Sequence, residues 1–281
     1  MIMFKKFFSG FFKYLFLAII ISIVLIPLLW VFSLAFRFPD EVLDIFPTKF
    51  TLINIPKAIF QIKDWGGLTF QRMFFNSIFV TSLSIIGILI VSSLAAFGFS
   101  NYKFKFKEVI FMAFLLSIMI PVQVMLIPLF ILMKNLKLLN TYLVLILPYI
   151  AFGFPFGTLI LRGFFEKIPL ELKEAAKIDG ATDLKIFTSI VLPLSRPALA
   201  TVVTFSFMVA WNEFLFALVF IRNDSLQTIP LLLNRMAGAQ YGVQWEVYGS
   251  MILLTVIPVI IIFILFQRWF ISGLTSGAIK G

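Results

Sequence analysis

The stretch Lys167–Pro197 reads KIPLELKEAAKIDGATDLKIFTSIVLPLSRP and lies between two long apolar runs. Pro169 suits the first position of a helix, where its missing N–H loses no partner, so a short helix is predicted over Leu170–Ile178. Gly180 suits the left-handed residue that ends a helix without a Cβ penalty. The pattern therefore predicts a helix, a sharp glycine turn and a second helix.

The second helix has its own start and stop signals. Thr182 can cap it, and Asp183 falls in its first turn, where the helix dipole favours an acidic side chain. We expect this helix to run to about Leu192 and to stop before Pro193, because the residue before a proline avoids the helical region. On these local signals the 166–197 segment is either an interaction site or an ordinary surface hairpin between two spans.

The composition predicts a membrane protein. Of the 281 residues, 61% are hydrophobic and 13% are charged, whereas soluble domains carry about 25% charged residues. Backbone groups in lipid must be hydrogen-bonded within their own segment, so the apolar runs are predicted to be helical. The expected fold class is therefore an all-α integral membrane protein with a helix–turn–helix loop.

Six apolar runs reach the length of about 20 residues that a helix needs to cross the hydrocarbon core. They are Tyr14–Phe36, a span within Met73–Tyr102, Val109–Met133, Leu138–Leu161, Pro197–Ile221 and Val247–Gln267. Prolines are predicted to kink three of these helices: Pro121 and Pro128, Pro148 and Pro155, and Pro258. Such kinks indicate either hinged helices that line a path or ordinary kinks, since proline is frequent in membrane helices.

The distribution of basic residues predicts the orientation. With the N-terminus inside, the inner segments hold fourteen of the 23 Lys and Arg residues, and cytoplasmic loops are enriched in these residues. Both termini and the 166–197 segment are then cytoplasmic, in a multi-pass protein of the cell (inner or plasma) membrane. The predicted divisions are an anchor helix with an external segment over 1–71, a five-helix core over 72–271, and a cytoplasmic tail over 272–281.

Several classes of function are excluded by what the sequence lacks. There is no cysteine and no histidine, which rules out disulfides, cysteine catalysis and the usual zinc sites, so no metal site is predicted. The net charge of +10 is scattered among short loops, so nucleic acid is not an expected partner. The phosphate-binding pattern GxxxxGK[ST] is missing, and no nucleophile–base arrangement is visible. We predict a protein that is not an enzyme.

Glu213 is the one clearly charged residue inside a predicted span. Intramembrane acids are functional-site candidates by default, and Trp211, Asn212 and Glu213 together offer an aromatic face, an amide and an acceptor for an uncharged, hydroxylated solute. The alternative is a polar cluster that packs against a partner chain. Both interpretations, substrate path and subunit seam, stay open.

The 166–197 segment carries a specific resemblance. The residues that resemble the EAA loop of the permease subunits of binding-protein-dependent ABC importers are Glu174-Ala175-Ala176, Asp179-Gly180-Ala181, Phe187, Ile190, Leu192-Pro193 and Pro197. In that family the loop docks into a cleft on a separate cytoplasmic ATPase. The resemblance implies the ATPase-coupling residues Glu174, Ala175, Ala176, Asp179, Gly180 and Ala181.

Three further strings resemble the carbohydrate-uptake class of these permeases, the maltose type in particular. They are AAFGFSNYKFKFK (Ala95–Lys107), WNEFLFAL (Trp211–Leu218) and the C-terminal ISGLTSGAIKG (Ile271–Gly281). The resemblance implies a sugar substrate, a second homologous permease, two ATPase subunits that carry the ATP–Mg, and an extracellular solute-binding protein. No cofactor is expected on this chain.

The same resemblance suggests a contact with the binding protein. An external loop with Gly238, Ala239, Gln240 and Tyr241 would reach into the sugar cleft of that protein, or it is an ordinary surface loop. Glycerol phosphate or a sugar alcohol are alternative substrates. An ion-coupled carrier is a more distant alternative, because it would need more intramembrane acids or histidines than Glu213 alone.

Overall fold

A computed structural model describes residues 2–39, 41, 46–61, 69–238 and 244–278 of the chain. Helices dominate these residues, and they contain no β-strand. The helices are α1 (Ile2–Ala35), α2 (Asn54–Pro56), α3 (Phe70–Asn101), α4 (Lys107–Ile118), α5 (Val122–Asn135), α6 (Leu143–Phe165), α7 (Leu170–Ile178), α8 (Asp183–Leu194), α9 (Arg196–Trp211), α10 (Leu215–Phe220), α11 (Ile229–Ala237) and α12 (Trp245–Ala278). The predicted all-helical class is confirmed.

The membrane-crossing part of the fold combines long helices with bent pairs. Among the described residues, four helices are long and apolar enough to cross a membrane: Lys13–Ala35 of α1, α3, α6, and Trp245–Trp269 of α12. Helices α4 and α5 meet at 101° and helices α8 and α9 at 77°. Counting each bent pair as one span gives up to six, the predicted number, but the second pair begins in the 166–197 segment at Asp183 and ends at Trp211, whereas the predicted fifth span was Pro197–Ile221.

The bend between α4 and α5 shows which prolines break a helix. Helix α4 ends at Ile118, and Pro121 has an extended backbone with ψ of 127° before α5 begins. Pro128, which was predicted to interrupt the same span, instead lies within a continuous α5. Helix α6 likewise runs through Pro148 and Pro155, and α12 through Pro258. A single missing N–H therefore does not end these helices.

Helix α8 passes the point where it was expected to stop. It continues through Pro193 to Leu194, and a π-helical turn covers Phe187–Val191 just before the proline. Leu192 N–H donates to Phe187 O, five residues back, so the helix is wider there than an α-helix. The wider turn accommodates a proline ring that would clash with the carbonyl four residues back in a regular helix.

The chain forms two compact units. One comprises Met1–Gln71 with Leu232–Ile257, and the other comprises Arg72–Leu231 with Pro258–Gly281. Helix α12 extends to Ala278, so residues 272–278 of the predicted tail are helical. The functional division of the chain at residues 71 and 271 stays a prediction.

In the first unit, the C-terminal end of α1 is held by side chains and by close packing. The Asn54 amide donates to Ala35 O at 3.2 Å and to Arg37 O at 2.6 Å, and Ser250 Oγ donates to Ala35 O at 3.3 Å. These bonds satisfy carbonyls that the end of a helix leaves without partners. A Cβ on Gly249 would lie 2.6 Å from Leu34 Cβ, so the glycine permits this approach.

In the second unit, α3 and α6 pack closely along a line of glycines. A Cβ on Gly153 would lie 2.5 Å from Ile88 Cδ1, and a Cβ on Gly157 would lie 2.8 Å from Ser92 Cβ. Small residues at such positions let membrane helices approach closely, where dispersion contacts and weak hydrogen bonds replace the hydrophobic effect. Helix α6 also packs against α4 and α9, so it is the central helix of this unit.

Candidate functional site

The turn of the 166–197 segment has the geometry that its sequence predicts. Gly180 has φ of +79° and donates its N–H to Lys177 O at 3.0 Å, while Ala181 N–H donates to Ala176 O at 2.9 Å. These two bonds form the Schellman arrangement that closes a helix with a left-handed residue. Beyond the turn, Thr182 Oγ1 accepts from Lys185 N–H at 3.3 Å and so caps α8 as expected.

Tyr102 connects the turn to the end of α3. Its hydroxyl donates to Asp183 Oδ2 at 2.6 Å, and Lys177 Nζ lies 3.5 Å from Asp183 Oδ1. The tyrosine hydrogen bond, with a smaller contribution from Lys177, lowers the pKa of Asp183 below its ordinary value. The stabilising contact is therefore complete at neutral pH and is lost only as the pH falls through that lowered pKa.

Lys173 connects α7 to the end of α6. Its side chain is buried, and its ammonium group lies 3.5 Å from Phe165 O, a carbonyl in the last turn of α6. A cation at this place satisfies a free carbonyl and complements the negative end of the helix dipole. Burial lowers the pKa of Lys173. Sequence inspection missed this role, because Lys173 resembles any other lysine of a polar loop.

Apolar packing reinforces these two connections. Ile186, Phe187 and Val191 of α8 are buried in one cluster with residues of α3, α6 and α9. The rings of Phe97 and Phe187 have centroids 5.1 Å apart, and Ala176 packs against the same cluster with partial burial. The 166–197 segment is thus fastened to the ends of α3 and α6 by hydrogen bonds and by a hydrophobic core.

The other face of the segment is open and partly apolar. Glu174, Ala175, Asp179 and Gly180, four of the predicted coupling residues, are exposed. Two large apolar side chains lie beside the turn with them: Ile178 is 86% exposed and Leu184 is 67% exposed. Both side chains are therefore available for contact with another molecule. Sequence reasoning missed both residues, although Ile178 lies between the charged residues Lys177 and Asp179.

Arg162 joins the end of α6 to α4 next to the segment. Its guanidinium donates to Glu108 Oε1 of α4 and to Glu166 Oε1, each at 2.7 Å, and lies 4.1 Å from the ring centroid of Phe111. The planar guanidinium suits such a junction, because it forms several hydrogen bonds and stacks on a ring at once. In the sequence Arg162 was only one of the basic residues that predicted orientation.

Glu213 lies in a gap between two helices rather than within one span. Helix α9 ends at Trp211 and α10 begins at Leu215. The carboxylate accepts from Phe216 N–H at 2.6 Å and from Ala217 N–H at 3.4 Å, and the Tyr149 hydroxyl donates to it at 2.6 Å. Glu213 therefore caps the N-terminus of α10, where unpaired N–H groups and the helix dipole favour an anion.

The side chains of the three residues in the predicted Trp211–Glu213 site lie in different surroundings. The Trp211 ring is buried, stacked on Phe207 at 5.5 Å and in edge contact with Phe74 at 5.8 Å. The exposed Asn212 donates its side-chain amide to Met208 O at 2.7 Å. Glu213 lines a cavity whose lining includes neither Trp211 nor Asn212.

That cavity, called here the aromatic cavity, has a volume of about 370 Å³. Its walls come from α3, the bend between α4 and α5, α6 and α9, together with Glu213 and Phe216. Its aromatic lining is Tyr149, Phe152, Phe156, Phe205 and Phe216, and its polar lining groups are those of Tyr149, Ser206 and Glu213. Sequence reasoning missed Tyr149, because an isolated tyrosine in an apolar run gives no signal of its partner.

The remaining predicted site falls mostly outside the described residues. Gly238 follows the last residue of α11. Ala239, Gln240 and Tyr241 lie outside the described residues, between 238 and 244. Their contact with a binding protein stays a prediction. Among the described residues there is no group of His, Cys, Asp and Glu side chains suited to hold a metal ion.

Comparison with known proteins agrees with the resemblance seen in the sequence. Residues 88–276 match the family model described as "Binding-protein-dependent transport system inner membrane component". The chain is 34% identical to the galactooligosaccharides transport system permease protein GanQ of Bacillus subtilis, with 96% of this chain and 95% of the relative covered. It is 34% identical to the trehalose/maltose transport system permease protein MalG of Thermococcus litoralis, covering 94% and 95%.

A solved structure shares the fold. A chain from a bacterial ABC transporter involved in the import of the acidic polysaccharide alginate matches with a TM-score of 0.80 at 24% identity, covering 95% of this chain and 98% of that chain. This match supports the helical architecture alone. The family match covers more than half of this chain and includes the 166–197 segment and Glu213. The chain belongs to the family of binding-protein-dependent transport system inner membrane components, the permease subunits of ABC importers.

Proposed function

We propose that this chain forms half of the translocation path for a carbohydrate and couples that path to separate ATPase subunits. The names of the two relatives, which cite galactooligosaccharides and trehalose/maltose, support a sugar as the substrate. The family description supports a solute-binding protein as a partner. The remaining expected partners are a second permease and two ATPases that carry the ATP–Mg.

One observation carries the coupling proposal: the 166–197 segment is exposed on one face and fastened on the other. Ile178 is 86% exposed beside the turn, as a docking surface for another protein requires. On the opposite side, Tyr102 bonds to Asp183 and Lys173 bonds to Phe165 O. A force applied at the turn would reach α3 and α6 together. ATP binding by the partner ATPase then changes which side of the membrane has access to the path, because the ATP-bound ATPase has different affinities for two states of the permease.

Cross-linking tests the docking directly. The chain has no cysteine, so Ile178→Cys gives a single reactive thiol at the exposed turn. In the assembled complex we expect this thiol to form a disulfide with a cysteine placed in a surface cleft of the ATPase subunit. The matched control is Lys105→Cys, an exposed position in the α3–α4 loop, which should cross-link far less. Equal cross-linking of the two positions, or none at Ile178, would contradict the proposal.

A further inference from the structure

An open groove with basic and apolar walls, called here the basic groove, lies where the chain passes from α3 to α4. Helix α3 is long and apolar enough to cross a membrane and ends at Asn101, so the groove is expected where hydrocarbon meets the polar headgroups. Its volume is about 390 Å³. The residues that line it are Lys103, Phe104, Phe106, Lys107, Glu108 and Val109.

The charge of the groove is positive and uncompensated. Lys103 is exposed and Lys107 is half-buried in the lining, and Lys105 between them is also exposed. The acidic lining residue, Glu108, already accepts a hydrogen bond from Arg162 at 2.7 Å. Among the described residues, no carboxylate forms an ion pair with any of the three lysines. An anion in the groove would therefore meet ammonium groups without ion-pair partners.

Apolar side chains are exposed beside these lysines. Phe106 is 62% exposed and Val109 is 66% exposed. The ring of Phe104 instead packs back on Phe99 of α3, with centroids 5.8 Å apart. Phe106 has a left-handed backbone with φ of 63°, and α4 begins at the next residue. The alternating sequence of lysine and phenylalanine thus anchors one ring to α3 and leaves the other at the surface.

The combination of charge and apolar surface selects one kind of ligand. A small soluble anion such as inorganic phosphate has nothing to place on Phe106 and Val109, whereas a phospholipid carries a phosphate and acyl chains in one molecule. We infer that the basic groove binds an anionic phospholipid, with the headgroup phosphate at Lys103 and Lys107 and the acyl chains along Phe106 and Val109. This inference goes beyond the proposed function, because the ligand is a component of the membrane and not the imported solute.

The physical basis is the attraction between basic residues next to a membrane helix and anionic lipid. Each such lysine contributes about fivefold to the affinity for an anionic surface. A lysine can also lay its apolar stem along hydrocarbon while its ammonium group stays at the level of the headgroups. The two lining lysines together predict a preference of about five- to 25-fold for an anionic over a zwitterionic phospholipid.

Fluorescence quenching in the assembled, reconstituted complex tests the groove. Met112 is 55% exposed and lies three residues after Val109, on the same face of α4 but outside the groove lining. Met112→Cys gives this chain its only cysteine for a bimane label, in a complex whose partner subunits are free of cysteine. The vesicles contain phosphatidylcholine and phosphatidylglycerol, with bromine on the acyl chains of one lipid at a time. We expect brominated phosphatidylglycerol to bind near the label more tightly than brominated phosphatidylcholine, by the factor given above.

Two changes of solution distinguish a lipid from a soluble anion. Added salt should reduce the preference for phosphatidylglycerol, because it screens the attraction between the lysines and the headgroup. Millimolar inorganic phosphate at constant ionic strength should leave the preference unchanged. Loss of the preference in phosphate would assign the lysines to a soluble anion and overturn the inference.

Two double variants with the same change of charge test the assigned lysines in the labelled protein. Lys103→Gln with Lys107→Gln should lower the preference to about onefold, as expected once both attractive charges are gone. Lys134→Gln with Lys137→Gln removes two exposed lysines at the end of α5 and should retain the preference. Quenching by brominated phosphatidylcholine shows in each variant that the label contacts lipid. An unchanged preference in the first variant, equal loss in both, or no quenching by either lipid would overturn the inference.

Discussion

Gly180 shows how one residue determines the shape of the 166–197 segment. Its φ of +79° lies in the left-handed region, and a Cβ at this position would have no neighbour within 4 Å. Backbone conformation, and not lack of space, therefore requires glycine. For an ordinary L-residue the left-handed conformation costs about 1–2 kcal/mol, and a β-branched side chain tolerates it least.

We expect Gly180→Val to abolish coupled transport while the protein still inserts into the membrane. The valine resists the left-handed turn, so α7 and α8 would no longer present Ile178 and Leu184 on one surface. Uptake in cells, together with the amount of protein in the membrane fraction, measures both effects. Gly180→Asn is the matched control, because asparagine tolerates this conformation and should retain most of the uptake. Normal uptake by Gly180→Val would contradict the coupling role of the turn.

Glu213 shows how a carboxylate is accommodated in the gap between α9 and α10. Its carboxylate accepts from Phe216 N–H and from the Tyr149 hydroxyl, so the cost of removing it from water is offset by hydrogen bonds and by the helix dipole. The sequence left a substrate path and a subunit seam as alternatives. The structure adds a local role as the cap of α10, and a cavity that Glu213 also lines.

At the scale of elements, α6 organises the second unit. It contacts α3 through glycines, carries Tyr149 toward the aromatic cavity, and ends at Arg162 and Phe165, where α4 and α7 are attached. A shift of this one helix would therefore affect the cavity and the 166–197 segment together. That arrangement gives the proposed coupling a physical route through packed side chains.

A pair of glycines on α6 tests its packing against α3. We expect Gly157→Ala to destabilise the protein by about 1–3 kcal/mol, the usual range for overpacking, because the new Cβ would lie 2.8 Å from Ser92 Cβ. The midpoint of unfolding of the purified protein in a denaturing detergent measures the change.

Gly163→Ala on the same helix is the control for that experiment. A Cβ there would meet nothing within 4 Å, so the alanine should be neutral or slightly stabilising through its better helix propensity. Equal unfolding midpoints for the two variants would argue against close α3–α6 packing at Gly157.

At the scale of the whole molecule, the proposed orientation in the membrane rests on the charges of the loops. Lys103, Lys105 and Lys107 lie in one short loop region, and the 166–197 segment contains Lys167, Lys173, Lys177, Lys185 and Arg196. Cytoplasmic loops are enriched in such residues. The proposal that both termini are cytoplasmic rests on this bias.

Single-cysteine labelling of intact cells tests that orientation. Arg222→Cys should react with a membrane-impermeant maleimide added outside, whereas Lys105→Cys should react only after the cells are opened. Both positions are exposed, so accessibility from one side of the membrane is the variable that differs. The cysteine-free parent chain provides the background. Labelling of Lys105→Cys in intact cells would invert the proposed topology.

The sequence predicted the helical class, the six apolar segments and the glycine turn, but it did not locate the breaks correctly. Pro121 and Pro128 looked alike within one apolar run, yet only Pro121 lies at a break. The run Pro197–Ile221 was expected to be a single span, whereas the structure ends α9 at Trp211 and begins α10 at Leu215. Hydropathy indicates whether a residue prefers lipid or water. It does not indicate at which residue the backbone hydrogen bonds of a helix end.

What the sequence determined by itself depends on local chemistry. Apolar runs must be helical in lipid, glycine permits the turn at 180, and Thr182 caps the helix that follows. The contacts that join distant parts of the chain were decided only by the tertiary structure: Tyr149 with Glu213, Tyr102 with Asp183, and Lys173 with Phe165 O. The physical reason is that each of these bonds needs a partner whose position depends on the packing of whole helices, which no local pattern specifies.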